Sequence, residues 1–236
     1  RGLTYGKPVA TMRDYLAKMD AAPYSAVPPS EAPPRVIAAL GPKMLELARD
    51  ACTGAHPYFS SPDHTAMARR ILGPKPWLCV EQKVILETDP TKARTLARTA
   101  AAMYLGLPNY RNNWLRSGLR EADLANGGSD TFVDATFAWG KADTIKARIK
   151  AHFDAGASHV CIQPVNPNGA FGDLHCVRLA SGNVVWSRNV VKDFGAELPQ
   201  WGMCATPLIV DDLLIVNPGG PDAAIVALDH WTGGVV

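Results

Sequence analysis

The first two thirds of the chain alternate short apolar runs with stretches of helical periodicity, and this alternation constrains the fold most. The run RVIAAL (35–40) precedes GPKMLELARDAC, in which apolar residues recur at helical spacing. Pro42 suits a first helical turn because its missing N–H has no partner there anyway, and Gly41 can cap that helix. The pattern therefore predicts a strand that leads into a helix through the turn at Leu40 and Gly41.

The same unit recurs along the chain. Predicted strands cover 54–59, 78–88 and 159–163, and predicted helices cover SPDHTAMARRIL, 91–105, 131–139 and KADTIKARIKAHFDAGA, with a loop-rich stretch around NYRNN. Alternation of this kind implies parallel strands joined by right-handed crossovers. About four such units fit either an open doubly wound sheet or half of an eight-stranded barrel, and periodicity does not separate the two.

After about residue 170 the helical period disappears, and short apolar strands separated by glycine and proline predict antiparallel β-structure. Asp211-Asp212 is predicted as a turn, as are Ser181-Gly182 and Thr232-Gly233. LHCVRLASGNVV and IVALDHWTGGVV share one pattern and begin 51 residues apart. That offset is close to the spacing of successive propeller blades, and chance similarity between two hairpins is the alternative.

Composition and motifs exclude several classes. The net charge of +2 predicts neither a nucleic-acid partner nor an anionic membrane partner, and no apolar run is long enough to span a membrane. The five cysteines lack paired spacing, and the start of the chain has no signal-peptide core, so a cytoplasmic location is expected for the first part. No metal site is predicted, since CxxC and HxxxH are absent, and neither GxGxxG, GxxxxGK nor GxSxG occurs.

Five segments together resemble a known family. ALGPKMLELA, GAHPYFSSPDHTAMAR, QKVILETDPTKARTLAR, LPNYRNNWLRSG and the stretch from GGSDTFVDATFAWG to DAGASHVCIQPVNP resemble, in this order, the C-terminal half of luciferase-like oxidoreductases that use the deazaflavin coenzyme F420. The resemblance runs from about Tyr5 to Pro167. It implies part of a (β/α)8 TIM barrel that transfers hydride between F420 and a small organic substrate, with FMN as the alternative cofactor. The family's first four strands have no counterpart here, so no catalytic residue is assigned and the chain is expected to be inactive.

The candidate cofactor site is the turn Leu40, Gly41, Pro42 and Lys43, together with His56. A helix N-terminus at a strand-to-helix turn can hold a phosphate, and in the resembling family this turn contacts the phosphate-bearing tail of the cofactor. His56 ends its predicted strand at the same edge of the sheet. The alternatives are that Gly41-Pro42 only caps a helix, that Lys43 is solvated, and that His56 is structural.

The later part of the chain resembles the pyrroloquinoline-quinone-like (PQQ-like) β-propeller repeat proteins, from GAFGDLHCVRLASG to NPGG. In that family the strand before the turn commonly carries an aspartate, as Asp229 does in the second copy, whereas Arg178 departs from the pattern in the first. No calcium ligands or catalytic carboxylates match, so PQQ is not expected. In a complete propeller Trp186 and Trp201 would pack between blades, so here they are expected to be partly exposed or to lie against the helical part.

We therefore predict a luciferase-like TIM-barrel half over 1–168 and an antiparallel all-β propeller-blade fragment over 169–236, joined near residues 166–170. A broken or misassembled gene is the expected origin of such a join, because a natural fusion would keep whole domains. Two functions stay open: an F420-dependent oxidoreductase with a propeller-derived appendage, and a non-catalytic chimera. Unpaired strand edges predict a homodimer or self-association.

Overall fold

The structure is a computed structural model that describes residues 6–165, 172–178, 183–197 and 207–236. The chain divides into two compact units, Arg1–Val165 and Asn166–Val236. Each unit is described by itself. The identities predicted for 1–168 and 169–236 stay predictions.

The first unit has alternating α/β architecture. Its strands are β1 (Val36–Ala38), β2 (Gly54–His56), β3 (Trp77–Ile85), β4 (Phe137–Trp139) and β5 (His159–Pro164). Its helices are α1 (Pro8–Ala21), α2 (Pro42–Ala51), α3 (Pro62–Leu72), α4 (Pro90–Leu105), α5 (Pro108–Arg116), α6 (Glu121–Leu124), α7 (Asp130–Thr136) and α8 (Ala142–Asp154). The predicted strand–helix order from β1 to α4, and the predicted α8 and β5, are confirmed.

All five strands are parallel, and β3 is the central strand of the sheet. One edge of β3 pairs with β5 over six residues, from Cys79 opposite His159 to Val84 opposite Pro164. The other edge pairs first with β2 and then with β4. Gly54 is required where β2 meets β3, because a Cβ there would lie 2.3 Å from the Trp77 carbonyl oxygen. The parallel strands and the helices between them confirm the α/β alternation that the sequence predicts for this part of the chain.

The two faces of β3 have different neighbours. Leu78 and Val80 are fully buried in an apolar cluster with α2 and α3, which cover one face. Glu81 and Lys83 point to the opposite face, because side chains alternate along a strand. An aromatic cluster around Phe59 and Trp114 packs near the carboxyl end of the sheet. The helix-covered face therefore carries the apolar cluster around Leu78 and Val80, and the opposite face carries Glu81 and Lys83.

Local sequence signals start several helices where they were expected. The Ser61 side chain accepts a hydrogen bond from the His64 N–H at the start of α3, and Asp89 accepts two at the start of α4. In both helices proline occupies the first turn, where it costs no hydrogen bond. The predicted capped starts at Ser61 and Asp89 are confirmed.

Two sequence predictions are wrong. The sequence predicts a loop around NYRNN, but this segment lies in α5, which begins at Pro108. The buried Trp114 anchors α5 by donating Nε1–H to the Phe59 carbonyl (3.0 Å). The stretch 131–139 was predicted as one helix, but α7 ends at Thr136 and 137–139 form β4. β4 exists because it pairs with β3, and a tertiary contact of this kind leaves no periodicity in three residues.

The second unit is antiparallel. β6 (Asp173–Val177) pairs with β7 (Val184–Asn189), and β9 (Leu213–Val216) lies between β8 (Leu208–Val210) and β10 (Val226–Asp229), with the short helix α9 (Val190–Asp193) after β7. The turn predicted at Asp211-Asp212 is confirmed, and Asp211 has a φ of 53° there. No propeller is formed by the described strands of this unit.

Several predictions about this unit concern its turns and tryptophans. The Thr232-Gly233 turn is confirmed, and Gly233 has a φ of 71° beneath the Trp186 ring, where a Cβ would lie 2.7 Å from the ring. Trp186 is half-buried and donates Nε1–H to the His230 carbonyl (3.0 Å). The Ser181-Gly182 turn and Trp201 lie outside the described residues. No described helix is long and apolar enough to cross a membrane.

Candidate functional site

The carboxyl ends of the parallel strands meet at one edge of the sheet, here called the carboxyl edge. The segment Leu40–Lys43 follows β1 and His56 ends β2, so the predicted site residues lie at this edge. His56 pairs in register with Ala38 of β1, two residues before Leu40. The sheet thus brings the predicted turn and the predicted histidine to neighbouring strand ends. Their role in binding stays a prediction.

The turn at Leu40 and Gly41 is open to a ligand. Gly41 is the N-cap of α2 and provides no side-chain hydrogen bond to it. Met44 and Leu45 donate their N–H groups to the Gly41 carbonyl, and Pro42 has no N–H. This leaves the Lys43 N–H without an acceptor among the described residues, at the positive end of the helix dipole.

A second cation lies at this turn, which sequence reasoning missed. Nη2 of Arg116 on α5 lies 3.7 Å from the position a Gly41 Cβ would take. Lys43, the predicted charge, is exposed. Arg116 is exposed as a residue, and the partial burial of its guanidinium lowers its pKa. An anion bound at Gly41 would be attracted to this positive charge.

Buried residues with side-chain atoms that have no described partner include His64, which contacts the same turn, and Asn113. His64 is fully buried and donates Nε2–H to the Leu40 carbonyl (2.9 Å), and its Nδ1 has no partner. Burial lowers the pKa of His64, which keeps the ring neutral with Nδ1 as an acceptor. Asn113, one turn before Arg116 on α5, is fully buried with both amide atoms unpartnered. Orphaned polar atoms of this kind fit a ligand that brings its own donors and acceptors.

His56 is tied to the sheet. Its Nδ1 lies 2.6 Å from the Cys79 carbonyl oxygen on β3 and must be the donor, because a carbonyl only accepts. In the neutral ring Nε2 is then the acceptor. His56 also lies near Glu81, whose pKa is raised by burial, and its proximity opposes that rise. The structure thus places His56 between the predicted turn and a group of buried charges on β3.

That group, the Lys83 cluster, consists of Tyr58, Glu81, Lys83, Tyr104 and Gln163. The Lys83 ammonium donates to Tyr58 Oη (2.7 Å), Gln163 Oε1 (2.8 Å) and Glu81 Oε1 (3.2 Å), which uses all three of its protons. It also lies 4.0 Å from the centre of the Tyr58 ring. The side chains of Lys83 and Glu81 are each only 4% exposed.

The electrostatics of the Lys83 cluster are those of a coupled buried pair. Burial raises the pKa of Glu81 and lowers the pKa of Lys83, and the attraction between the two charges opposes both shifts. Burial also raises the pKa of Tyr104 to about 12, so its hydroxyl stays protonated. The cluster therefore holds an ion pair and neutral phenols in a region of low dielectric constant.

The Lys83 cluster also holds the segment after β2 in its conformation. Glu81 Oε2 accepts a hydrogen bond from the Phe59 N–H (2.9 Å), and Phe59 has a positive φ of 56°. A bulky residue rarely adopts this conformation, so the surrounding contacts must impose it. Trp114 Nε1 donates to the Phe59 carbonyl (3.0 Å). β3 and α5 together thus fix the loop that carries Tyr58 to the carboxyl edge.

A second polar network lies on the helix-covered face of β3. Gln82 donates Nε2–H to the Lys83 and Thr136 carbonyls, so its Oε1 accepts from His152 Nε2 (2.9 Å). His152 Nδ1 lies 2.8 Å from the Thr65 hydroxyl. Burial lowers the pKa of His152 to about 4, and the ring is neutral near pH 7. This network joins α8 and α3 to the back of β3.

The sequence predicted the turn and His56 as site residues but did not predict the Lys83 cluster. Glu81 was not assigned a role because no second carboxylate stands near it in the sequence to form an acid–base pair. A signal was present: Glu81 and Lys83 stand two apart, on one face of a strand that has apolar residues before and after them. Charged residues are almost never fully buried unless paired, so such a spacing in a buried parallel strand indicates an ion pair. Their other partners come from the segment after β2 and from β5, and carry no local signal.

Two further features bear on what the unit can bind. A cavity of about 700 Å³ lies between β4 and α8, with Trp139, Ala147 and Arg148 in its wall. This volume is in the range of small-molecule sites. Among the described residues, no group of three or more His, Cys, Asp or Glu side chains is arranged to hold a metal ion.

Several solved structures resemble the chain at low identity. An F420-dependent secondary alcohol dehydrogenase in complex with an F420-acetone adduct has 16% identity and a TM-score of 0.44, over 59% of this chain and 45% of that chain. For the coenzyme F420-dependent tetrahydromethanopterin reductase from Methanopyrus kandleri the values are 15% and 0.38, over 56% and 44%. For the oxygenating constituent of 3,6-diketocamphane monooxygenase from Pseudomonas putida, in complex with FMN, they are 16% and 0.39, over 57% and 42%.

This chain spans less than half of each of those three proteins. A search of curated protein sequences finds no match. The family model of the luciferase-like monooxygenases matches residues 1–159, which include every strand of the parallel sheet up to the first residue of β5. The chain therefore belongs to the luciferase-like monooxygenase family.

Proposed function

We propose that the first unit is part of an oxidoreductase that holds the deazaflavin coenzyme F420 and transfers hydride between it and a small organic substrate. FMN is the alternative cofactor, since proteins similar to this chain include both F420-dependent and FMN-binding enzymes. F420 and FMN both carry a phosphate on a flexible tail, and both supply hydride chemistry from the ring.

The observation that carries this proposal is the turn at Leu40 and Gly41. The Lys43 N–H at the start of α2 has no acceptor among the described residues, and Gly41 leaves the space that a side chain would fill. The Arg116 guanidinium adds a positive charge beside it. A helix N-terminus with a neighbouring cation is a favourable site for phosphate, so this turn supports a phosphate-bearing cofactor.

The test compares ligands that differ by one phosphate. FMN and riboflavin share the ring, so a phosphate site predicts tighter binding of FMN than of riboflavin by the full chain, measured by fluorescence titration. F420 is titrated in parallel. If neither F420 nor FMN binds saturably, the proposal is contradicted.

Two substitutions locate the phosphate. Gly41→Asp places a carboxylate where the phosphate would bind and is expected to weaken FMN binding by about tenfold or more, with riboflavin binding unchanged. Aspartate is a favourable N-cap and the φ of Gly41 is −84°, so α2 is expected to stay folded. Gly41→Ser is the matched neutral control. Arg116→Gln is expected to weaken FMN binding by about tenfold without affecting riboflavin.

Turnover is tested separately from binding. Reduction of F420 by a panel of small alcohols, followed by absorbance, distinguishes an oxidoreductase from a chain that binds the cofactor without catalysis. Saturable binding with no reduction favours the non-catalytic alternative. No catalytic residue is proposed.

The second unit is proposed to be a fragment of a PQQ-like β-propeller blade. Its antiparallel order β10-β9-β8 and the carboxylate of Asp229, which accepts from the Trp231 and Thr232 N–H groups in the turn, support this. The proposed boundary at 168/169 belongs to the same proposal. Homodimerisation through the outer edges of β1 and β5, which pair with no further described strand, also stays a proposal, and light scattering after size exclusion tests it.

A further inference from the structure

Gln163 stands apart from the rest of the Lys83 cluster because its side chain is exposed while Lys83 is buried. It is the penultimate residue of β5 and pairs in register with Lys83 on β3. Residues paired across parallel strands point to the same face. Gln163 is therefore the member of the cluster that reaches the surface at the carboxyl edge.

The chemistry of its neighbours fixes the orientation of the Gln163 amide. Lys83 only donates hydrogen bonds, so the atom 2.8 Å from its Nζ must be the oxygen Oε1. Tyr58 Oη lies 2.8 Å from the same oxygen. Because Lys83 also donates to Tyr58 Oη, the phenol proton is free to be donated to Gln163. Two donors thus hold Oε1, and one of them is charged.

The other end of the amide is left for a ligand. With Oε1 held from inside, Nε2 faces outward with two N–H donors, and among the described residues it has no acceptor. Binding sites of (β/α)8 enzymes lie at the carboxyl ends of the strands, where Gln163 stands. The buried charge of Lys83 polarises the amide and makes the N–H groups better donors.

We infer that Gln163 is a ligand-contacting residue whose Nε2–H groups donate to a carbonyl or alkoxide oxygen of the molecule bound at the carboxyl edge. Lys83 and Tyr58 are positioning residues that hold the amide in this orientation. The inference rests on the proposed function. The acceptor oxygen can belong to the cofactor ring, which carries carbonyl groups, or to a carbonyl substrate, and the experiment below separates these sources.

The key variant is Gln163→Glu. Glutamate keeps the shape of the side chain and forms an ion pair with Lys83, but it presents an acceptor where glutamine presents a donor. If Gln163 only satisfies Lys83, the variant binds ligands as the parent does. If Gln163 donates to a ligand oxygen, affinity falls by about tenfold or more. Tyr58→Phe removes one of the two donors to Oε1, keeps the ring, and is expected to weaken binding about two- to threefold.

The first arm titrates F420, FMN and riboflavin into the full-length parent and variants and follows fluorescence and the ring absorption spectrum. Weaker binding of all three by Gln163→Glu, riboflavin included, assigns the contact to the cofactor ring. The second arm titrates acetone into protein loaded with oxidised F420. An effect confined to this arm assigns the contact to the substrate.

The outcomes separate this inference from the proposed function. A parent that binds none of the three cofactors contradicts the proposed function and removes the inference with it. If the parent and Gln163→Glu bind the cofactors with the same affinity, and bind acetone with the same affinity, the role of Gln163 is overturned and the proposed function is not affected. If the parent binds no acetone, the first arm decides. Thermal unfolding of each variant confirms that losses in affinity are not losses of fold.

Discussion

The two units of the chain differ in how many polar side chains they bury. In the first unit the described buried residues include charged and polar side chains, among them Glu81, Lys83, His64 and His152. In the second unit no polar side chain is buried as a whole among the described residues, although the Nδ1 atom of His230 is buried without a hydrogen-bond partner there. Burying a polar group is unfavourable unless the group has hydrogen-bond or ion-pair partners, so the stability of the first unit depends on those partners. That is the unit in which chemistry can be placed.

The largest expected effect comes from breaking the buried ion pair. Glu81→Gln removes the carboxylate that pairs with the Lys83 ammonium. The single oxygen of glutamine cannot accept from both Lys83 and the Phe59 N–H, so we expect a loss of about 3–5 kcal/mol in the free energy of unfolding. Urea unfolding measures it. The double variant Glu81→Gln/Lys83→Met is expected to cost less than the sum of the single variants. Additive losses would show that the two charges do not interact.

Apolar packing in the second unit gives the next effect. Leu228 is fully buried between β9 and the chain end, and Leu228→Ala is expected to cost about 2–5 kcal/mol through lost burial and the cavity left behind. Hydrogen exchange of the amides in 207–236 measures the loss. The control Leu208→Ala, at a side chain that is 60% exposed, is expected to change protection little. Equal effects of the two would mean that this unit has no packed core.

Acid sensitivity is expected of the first unit through His152. Burial lowers its pKa to about 4, whereas an unfolded histidine has its ordinary value near 6.5. The unfolded state therefore binds the proton first, and the contribution is fully present above about pH 6.5 and is lost as the pH falls toward 4, by about 3 kcal/mol in all.

The measurement is the urea midpoint of the first unit between pH 7 and pH 4. His152→Gln keeps a hydrogen-bonding side chain without a titrating ring and is expected to flatten this limb of the profile, although it is less stable at pH 7. An unchanged slope in the variant would assign the acid sensitivity to other groups.

The sequence predicted best what local signals determine. Proline at the first helical position, together with a cap at Ser61 or Asp89, specifies where α3 and α4 begin without reference to the rest of the chain. The position of His56 at the carboxyl edge followed in the same way, because the end of a strand is a local property. The antiparallel turns at Asp211 and Gly233 were predictable from residues that favour positive φ.

What the sequence did not predict depends on contacts between distant residues. α5 is anchored by Trp114 through the carbonyl of Phe59, and β4 exists only through pairing with β3. The partners of Lys83 after β2 and in β5, Tyr58 and Gln163, are 25 and 80 residues away. Arg116 lies at the predicted phosphate turn only because α5 folds across it. No periodicity within a window of sequence reports such contacts.

The smallest effect completes the comparison, because it concerns an ion pair that the second unit leaves in contact with water. Arg188 donates to Asp193 at 2.8 Å, with side chains 26% and 33% exposed. Asp193→Asn is expected to cost at most about 1 kcal/mol, and less at high salt, since solvent screens this pair. Urea unfolding at low and high salt measures it. A loss as large as that of Glu81→Gln would mean that burial does not set the strength of ion pairs in this protein.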